Sequence, residues 1–538
     1  MTIKSAARLV SEFDGQGKKP RFLLIGNVAN YAYALGKILR KNGIDTDVID
    51  PDFYHIMASP EWYDVADVGE YGDDFFPKWA HVRRTGYRRP EWFIQGPWES
   101  AFEVLYTSIY GSKTDQMKAR FRNSLARLTT TKDLPRPIYK FLVSDFQLMR
   151  IPRRALGKLT RWKQIGGSLK KRVSAKVLSK QSAGADGTEL SMEVFEPDVP
   201  SEPSPVEIDR QFSIDEFSDL SSPSEPNEML PPEVGFVVDR EDYFRSIFSH
   251  YDVIIGFTTL SYFPAALSIP NFASIELGTV RGLPFEDSNL GKLTRWVYEV
   301  SPKVLVTNTD CMAPARKMNI DEADLHPILH PILLDELIEY SKTKTPKISK
   351  TQPYFFAPAR HHWKDGNSSI LKGNEIYIRA AAKLIEEGFK FRLCLVKWGQ
   401  EVEESDKLIS DLGLNEYVNW IKPLPRKALW PYYKNAIGVI DQFGCKAFGG
   451  VSLESMALGK RVITSFDWEL ASEFFETKPP IMIANSVDDV CTEMRNCLND
   501  PQDTAKDGLK ARRWVESHHS EADQLDRILG AISPLITP

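Results

Sequence analysis

Residues 441–465 read DQFGCKAFGGVSLESMALGKRVITS. Ile437, Val439 and Ile440 lead in as a short apolar strand, and Gly444, Gly449 and Gly450 open a loop. VSLESMAL follows at helical spacing, and RVIT at 461–464 reads as the next strand. A loop of this kind brings unpaired backbone N–H groups and a helix N-terminus to one point, which suits phosphate or sugar oxygens. Glu454 falls about one turn into the helix, within reach of a ligand's hydroxyls. On the glycines alone, an ordinary strand–loop–helix crossover explains the pattern equally well.

The flanking sequence repeats this rhythm. YFFA at 354–357 reads as a strand, and PARHHWKDGNSSILKGNEIYIRAAAKLI carries Arg360 and Lys372 into a helix with Ile376, Ile378, Ala381 and Leu384 on its core face. Alternation at Phe391, Leu393 and Leu395, then EESDKLISDLGL, YVNWI and RKALWPYYKNA, continues a doubly wound α/β domain. In isolation Arg360 and Lys372 are compatible with plain surface charge. His361 and His362 neighbour them without an assigned role.

The N-terminal half opens the same way. RFLLIG at 21–26 is a buried-strand pattern, residues 27–42 carry a helix stopped by Gly43, and DTDVID at 45–50 is the next strand. No G-x-G-x-x-G fingerprint is present, so dinucleotide binding is not expected. Asp45/Asp47 and Asp50/Asp52 form acidic pairs of a metal-binding look, but they flank a strand that a βαβ unit explains better. The aromatic, proline-dense run 52–98 suits loop packing or stacking on sugar rings. Residues 99–165 read as a helical insertion. Within 133–180 Lys and Arg interleave with Phe, Leu and Trp, a pattern that fits either a solvated helical face or peripheral contact with an anionic membrane. The Ser-, Pro-, Glu- and Asp-rich run 182–232 is expected to be a disordered acidic loop.

Strands resume at 252–256 and 271–275. Parallel sheets bind ligands at strand carboxyl ends, so Glu276, Gly278, Thr279 and Arg281 are placed toward a cleft, a structural Glu276–Arg281 salt bridge being the plainer alternative. KVLVTN at 303–308 is the last strand before HPILHPILLDEL, whose His326 and His330 are not read as metal ligands.

A chain of 538 residues has room for two to three domains. Apolar residues at 42% and charged residues at 26% are those of a soluble globular protein, and a net charge of −5 argues against nucleic-acid binding. Five cysteines without a C-x-x-C indicate neither a disulfide framework nor a zinc site. The opening MTIKSAARLVSEFDGQGKKP lacks the apolar core of an export signal, and no run approaches the ~18 apolar residues of a spanning helix. A cytoplasmic protein, peripheral to the inner membrane face if the basic run binds lipid, is expected.

The 441–465 stretch resembles the donor-site signature of retaining GT-B glycosyltransferases of the family 4 kind (glycosyl transferases group 1). Phe448, Gly449, Glu454, Met456, Ala457, Gly459, Lys460, Val462 and Ile463 fit that signature. Lys446 departs from it, standing where the family carries a first glutamate that touches the donor sugar. A lysine there implies either a contact with a carboxylate- or phosphate-bearing moiety or a side chain turned away.

The resemblance implies two Rossmann-like domains facing a cleft. The acceptor-side domain takes residues 1–335, the nucleotide-sugar-binding domain 336–520, and a last helix in 521–538 crosses back to the first domain. It implies that Arg360 and Lys372 neutralise the donor diphosphate and that Glu454 binds the ribose. Lys446, Phe448, Gly449, Gly450 and Ser452 complete the donor side, and Gly26 and Asn27 join Glu276, Gly278, Thr279 and Arg281 on the acceptor side. The implied reaction moves a sugar from a nucleotide-sugar donor to a carbohydrate or lipid-linked acceptor in polysaccharide or glycolipid synthesis. It retains anomeric configuration and uses no metal or other cofactor. Two other readings stay open: a non-catalytic GT-B-like protein that binds a nucleotide sugar or a partner, motivated by Lys446, and a sugar-nucleotide epimerase of the same fold.

Overall fold

The computed structural model describes residues 5–50, 56–65, 86–130, 232–345, 352–364 and 371–536. Two parallel sheets organise them. The first holds β1 (Arg21–Ile25), β2 (Asp45–Asp50), β3 (Phe93–Gln95), β4 (Val253–Phe257), β5 (Phe272–Glu276), β6 (Val304–Val306) and β7 (Leu325–Pro327) in the order β3-β2-β1-β4-β5-β6-β7. The second holds β8 (Tyr354–Ala357), β9 (Arg392–Val396), β10 (Val418–Ile421), β11 (Gly438–Ile440), β12 (Val462–Thr464) and β13 (Met482–Ile483) in the order β10-β9-β8-β11-β12-β13. Every pairing is parallel. Helices cover both faces, so the central strands are short, apolar and buried, as in VIIGF of β4 and YFFA of β8, while the edge strand β10 is only partly buried.

Strand order reverses between β1 and β4 in one sheet and between β8 and β11 in the other. At such a switch point the loops leaving adjacent strands part to opposite faces and open a crevice. In the second sheet this sets the segment after β8, carrying Arg360, beside the loop that begins at Asp441.

The chain passes between the sheets twice. After β7, residues 328–333 lead to the helix Leu334–Lys342, whose Leu334 and Leu337 pack in the core of the second sheet. On the return, a capping box of Ser520 and Asp523 starts the helix Glu521–Ile532. Its Leu525, Ile528, Leu529 and Ile532 join the core of the first sheet with Phe22, Leu24 and Ile38. The two passes are tied together. The Ile332 amide donates to Gln524 Oε1 at 2.9 Å, His519 Nε2 donates to the His330 carbonyl at 3.0 Å, and Lys41 pairs with Glu521 at 2.8 Å.

Several local expectations shift. The first long helix starts at Tyr31 rather than Asn27, because the Asn27 carboxamide accepts the Tyr33 amide at 2.8 Å and residues 28–30 form a tight turn with Ala29 and Asn30 at positive φ. One member of each acidic pair is engaged in the fold, Asp47 accepting from the Tyr251 hydroxyl at 2.8 Å and Asp50 from Gln95 Nε2 at 2.7 Å, while Asp52 lies outside the described residues. Within 52–98, Trp92 stacks on Tyr33 at 5.3 Å, and Trp62 and Tyr63 are buried, so these aromatics serve packing. Of the helical insertion, Trp98–Tyr110 and Lys113–Thr130 are seen, while the basic run 133–180 and the acidic run expected to be disordered lie outside the described residues. The helix Ala6–Asp14, unread in the sequence, packs Leu9 and Phe13 into the core that holds the last helix.

Because Leu529 is fully buried where the returning helix meets the first sheet, Leu529→Ala should lower the unfolding free energy by about 2–5 kcal/mol. Urea denaturation followed by intrinsic fluorescence measures it.

Candidate functional site

The loop after β11 is held from beneath. Asp441 is buried at the strand end, and Ser452 Oγ donates to its Oδ2 at 2.7 Å, pinning the first turn of the helix Gly450–Ala457 to the sheet. Burial pushes the Asp441 carboxyl upward, opposed by the Ser452 hydrogen bond and by Lys372. Next along the loop, buried Gln442 accepts from Lys372 Nζ and donates to the Ala447 carbonyl at 3.3 Å.

Backbone bonds seat the Lys372 segment against this loop. The Lys372 amide donates to His362 O at 2.6 Å, and the Phe443 amide donates to Lys372 O at 2.9 Å. Gly444 is required here: a Cβ would stand 2.1 Å from the Leu371 carbonyl oxygen. Burial lowers the Lys372 ammonium, and the fields of Arg360 and Arg281 lower it further, against the opposing pull of Cys445 and Asp441. Arg360 and Arg281, from two further segments, thus bear on Lys372.

The first helical turn is open. A Cβ on Gly449 would meet nothing closer than Gln442 Nε2 at 3.8 Å, and one on Gly450 nothing closer than the Tyr31 hydroxyl at 3.4 Å. Tyr31 comes from the first sheet's domain and stacks on buried His330 at 5.3 Å. About one turn further in, Glu454 pairs with Arg426 at 2.8 Å, both side chains only 14% exposed. Burial raises the Glu454 carboxyl, and Arg426 offsets part of that rise. Thr309, beyond β6, closes the contact from the other domain: its Oγ1 donates to Lys446 O at 3.3 Å and accepts the Phe448 amide at 3.3 Å.

Other expected site residues support the cleft from behind. The Phe448 ring packs edge-on against Phe466, Phe475 and Trp514 in the core, so only its backbone reaches the loop surface. Ser452 is committed to Asp441. Lys446 pairs with Asp467 at 2.9 Å and is 55% exposed. Asn27 is buried and satisfied by the Ala58 carbonyl at 2.6 Å and by Asn30 Oδ1 at 2.9 Å. Gly26, at φ +98°, lies where a Cβ would stand 2.6 Å from Leu260 Cδ1.

Glu276 turns inward. Its Oε1 accepts from the Gly278 amide at 2.5 Å and from Thr279 Oγ1 and the Val280 amide at 3.1 Å each. Glu276, Gly278 and Thr279 therefore shape the turn that presents Arg281. Arg281 pairs not with Glu276 but with Asp310, through two bonds of 2.8 and 2.6 Å. Asp441, Gln442, Thr309, Asp310, Tyr31 and Arg426 were not singled out in the sequence. A signal for the first two was available, since a residue directly after a strand at a switch point faces the crevice.

Two doubly wound parallel sheets, tied by two crossings and meeting at the loops of their carboxyl edges, make an architecture of the GT-B kind. Residues 366–513, within the second half of the chain, match the family model described as Glycosyl transferases group 1. A D-inositol 3-phosphate glycosyltransferase of Kribbella flavida is 27% identical over 146 residues, 25% of this chain and 34% of that one. Another of that description, from Acidothermus cellulolyticus, is 33% identical over 109 residues, 19% of this chain and 24% of that one. The chain thus spans about a third or less of these relatives' lengths. Among solved structures, Anabaena HepE in complex with UDP superposes at a TM-score of 0.44 with 17% identity, covering 58% of this chain and 84% of that one. A glycosyltransferase from Rickettsia africae superposes at 0.43 with 16% identity, covering 59% and 84%.

His330, His361, His362 and His519 are buried around the cleft and crossings. Burial pushes His330 down to about 3 and His361 and His519 down to about 4. Each binds its proton more weakly folded than unfolded, so its stabilising effect is full above about pH 6.5 and is lost as pH falls toward those values. The melting temperature should fall between pH 7 and 5, the free energy dropping by as much as about 1.4 kcal/mol per pH unit for each histidine. His361→Asn should make the slope shallower in thermal melts across pH. A melting temperature constant over that range counts against it.

Proposed function

We propose that this chain is a glycosyltransferase that moves a sugar from a nucleotide-sugar donor to an acceptor hydroxyl, with retention of configuration and without a metal cofactor. The observation that supports this most is the convergence, at the switch point of the second sheet, of Lys372, the uncrowded Gly449–Gly450 turn that begins the helix, and Glu454 about one turn beyond.

In this reading the helix N-terminus and Lys372 hold the donor diphosphate, with Arg360 on the neighbouring segment, and Glu454 accepts from the ribose hydroxyls. As the bond from the sugar's anomeric carbon to the β-phosphate oxygen breaks, negative charge grows on the diphosphate, where these cations and amides oppose it. The acceptor oxygen forms the new bond, and its proton passes to the departing phosphate. Arg281, fixed by Asp310, faces this point from the acceptor side. A carbohydrate or lipid-linked acceptor is the matching class, and the basic run 133–180 offers contact with an anionic membrane surface for the latter. Among the described residues no helix is long and apolar enough to cross a membrane.

Incubation with UDP-, GDP- and ADP-sugars without added divalent metal, following nucleoside diphosphate release, tests the proposal. One donor class should be turned over, and Lys372→Ala and Glu454→Ala should each lower kcat/KM by about 10²-fold or more. Binding without release in the presence of acceptor extracts would favour the non-catalytic reading, and no binding of any nucleotide would remove the donor site altogether.

A further inference from the structure

Arg426 and Lys427 open the helix Arg426–Asn435, directly after Pro425 at its N-cap. The positive end of a helix dipole disfavours cations, so two in succession need other partners. They find them across the domain junction. The Arg426 guanidinium lies 2.8 Å from Glu454 on one side and 4.3 Å from the ring centroid of Tyr63, of the first domain, on the other. Lys427 reaches Glu336 of the crossing helix at 2.8 Å and Asp64 at 4.0 Å, and Lys37 of the first domain shares both carboxylates at 2.8 and 3.1 Å. Tyr63 is itself anchored to the crossing, its hydroxyl accepting the Leu333 amide at 3.2 Å. One side chain therefore joins the carboxylate that faces the donor crevice to the face of the opposite domain.

We propose that Arg426 is a positioning residue for donor binding: clamped between Glu454 and Tyr63, it keeps the Glu454 carboxylate ionised and aimed at the ribose hydroxyls, and does so only while the two domains are apposed. This rests on the reading of Glu454 as the ribose ligand. Among the described residues, the groups facing Glu454 are Arg426 and Tyr433 from the helix Arg426–Asn435, Asp441 from the end of β11, and Tyr31 and Tyr63 from the first domain. Burial keeps the three tyrosines neutral, and Asp441 pushes Glu454 toward protonation. Arg426 is thus the cation that holds the charge on Glu454. An ionised carboxylate accepts from both ribose hydroxyls in charge-assisted bonds, whereas a protonated one loses an acceptor site and that assistance.

The test is calorimetric binding of UDP, GDP and ADP to the full chain between about pH 5.5 and 8.5, comparing the wild type with Arg426→Gln. For the diphosphate that binds, the ratio of the variant's Kd to the wild type's should grow as pH falls, by about tenfold across the range, because without the guanidinium the carboxyl takes up its proton at a higher pH than in the wild type. Taking the ratio removes the titration of the ligand's own phosphate. In a Glu454→Gln background the same substitution should leave the profile unchanged. Melting temperatures report folding, and if Arg426→Gln fails to fold, Arg426→Lys should show a smaller rise of the same sign. A ratio constant with pH in a folded variant makes Arg426 merely structural and overturns the inference while leaving the ribose reading intact. Failure of the wild type to bind any of the three diphosphates overturns both.

Discussion

The architecture depends on its double crossing. Residues 328–333 leave the first sheet and residues 519–524 return to it, side by side, and buried polar groups on each pass are satisfied by the other: the Ile332 amide by Gln524, the His330 carbonyl by His519. An unpaired buried group costs on the order of 1–3 kcal/mol, so the two passes are stable together and costly to separate. The carboxyl edges of both sheets are thereby held against one another, and the contacts of Thr309 with the 446–448 backbone and of Tyr63 with Arg426 become available.

Within the second domain the site has its own hierarchy. Buried Asp441 and Gln442 sit under the glycine loop and are each bound by a group that also defines the crevice, Ser452 for the first and Lys372 for the second. The crevice can therefore present an uncrowded glycine turn above while its floor stays satisfied. The same logic explains why Phe448, beside two open glycines, faces the core: a loop that exposes backbone on one side needs an apolar anchor on the other.

How much of this was legible in the sequence depended on the range of the interaction. Apolar strands and helical spacing are local, so both parallel sheets and the strand–loop–helix unit at 441–465 could be read directly. The crossing of the last helix and the pairing of Arg360 and Lys372 with the loop came from resemblance rather than from pattern. Contacts between residues far apart in sequence left no local trace. Glu276 looked like a cleft carboxylate because it ends a parallel strand, yet three donors in the turn just after it drew it inward. Arg281 found Asp310, and Arg426, indistinguishable from other surface cations in RKALWPYYKNA, proved to be half of a buried pair. The start of the first long helix was misjudged for a related reason, since a side chain that caps one amide also bends the residues it spans.

The placement of Glu521–Ile532 bears on the order of events during synthesis. Its Leu525, Ile528, Leu529, Ala531 and Ile532 complete the core beneath β1 that also takes Leu9 and Phe13 of the helix Ala6–Asp14. A nascent chain that has finished all seven strands of the first sheet still lacks that layer until nearly two hundred further residues have left the ribosome. The second domain has all its strands before then, so the domain whose strands are made first is the one whose core closes last.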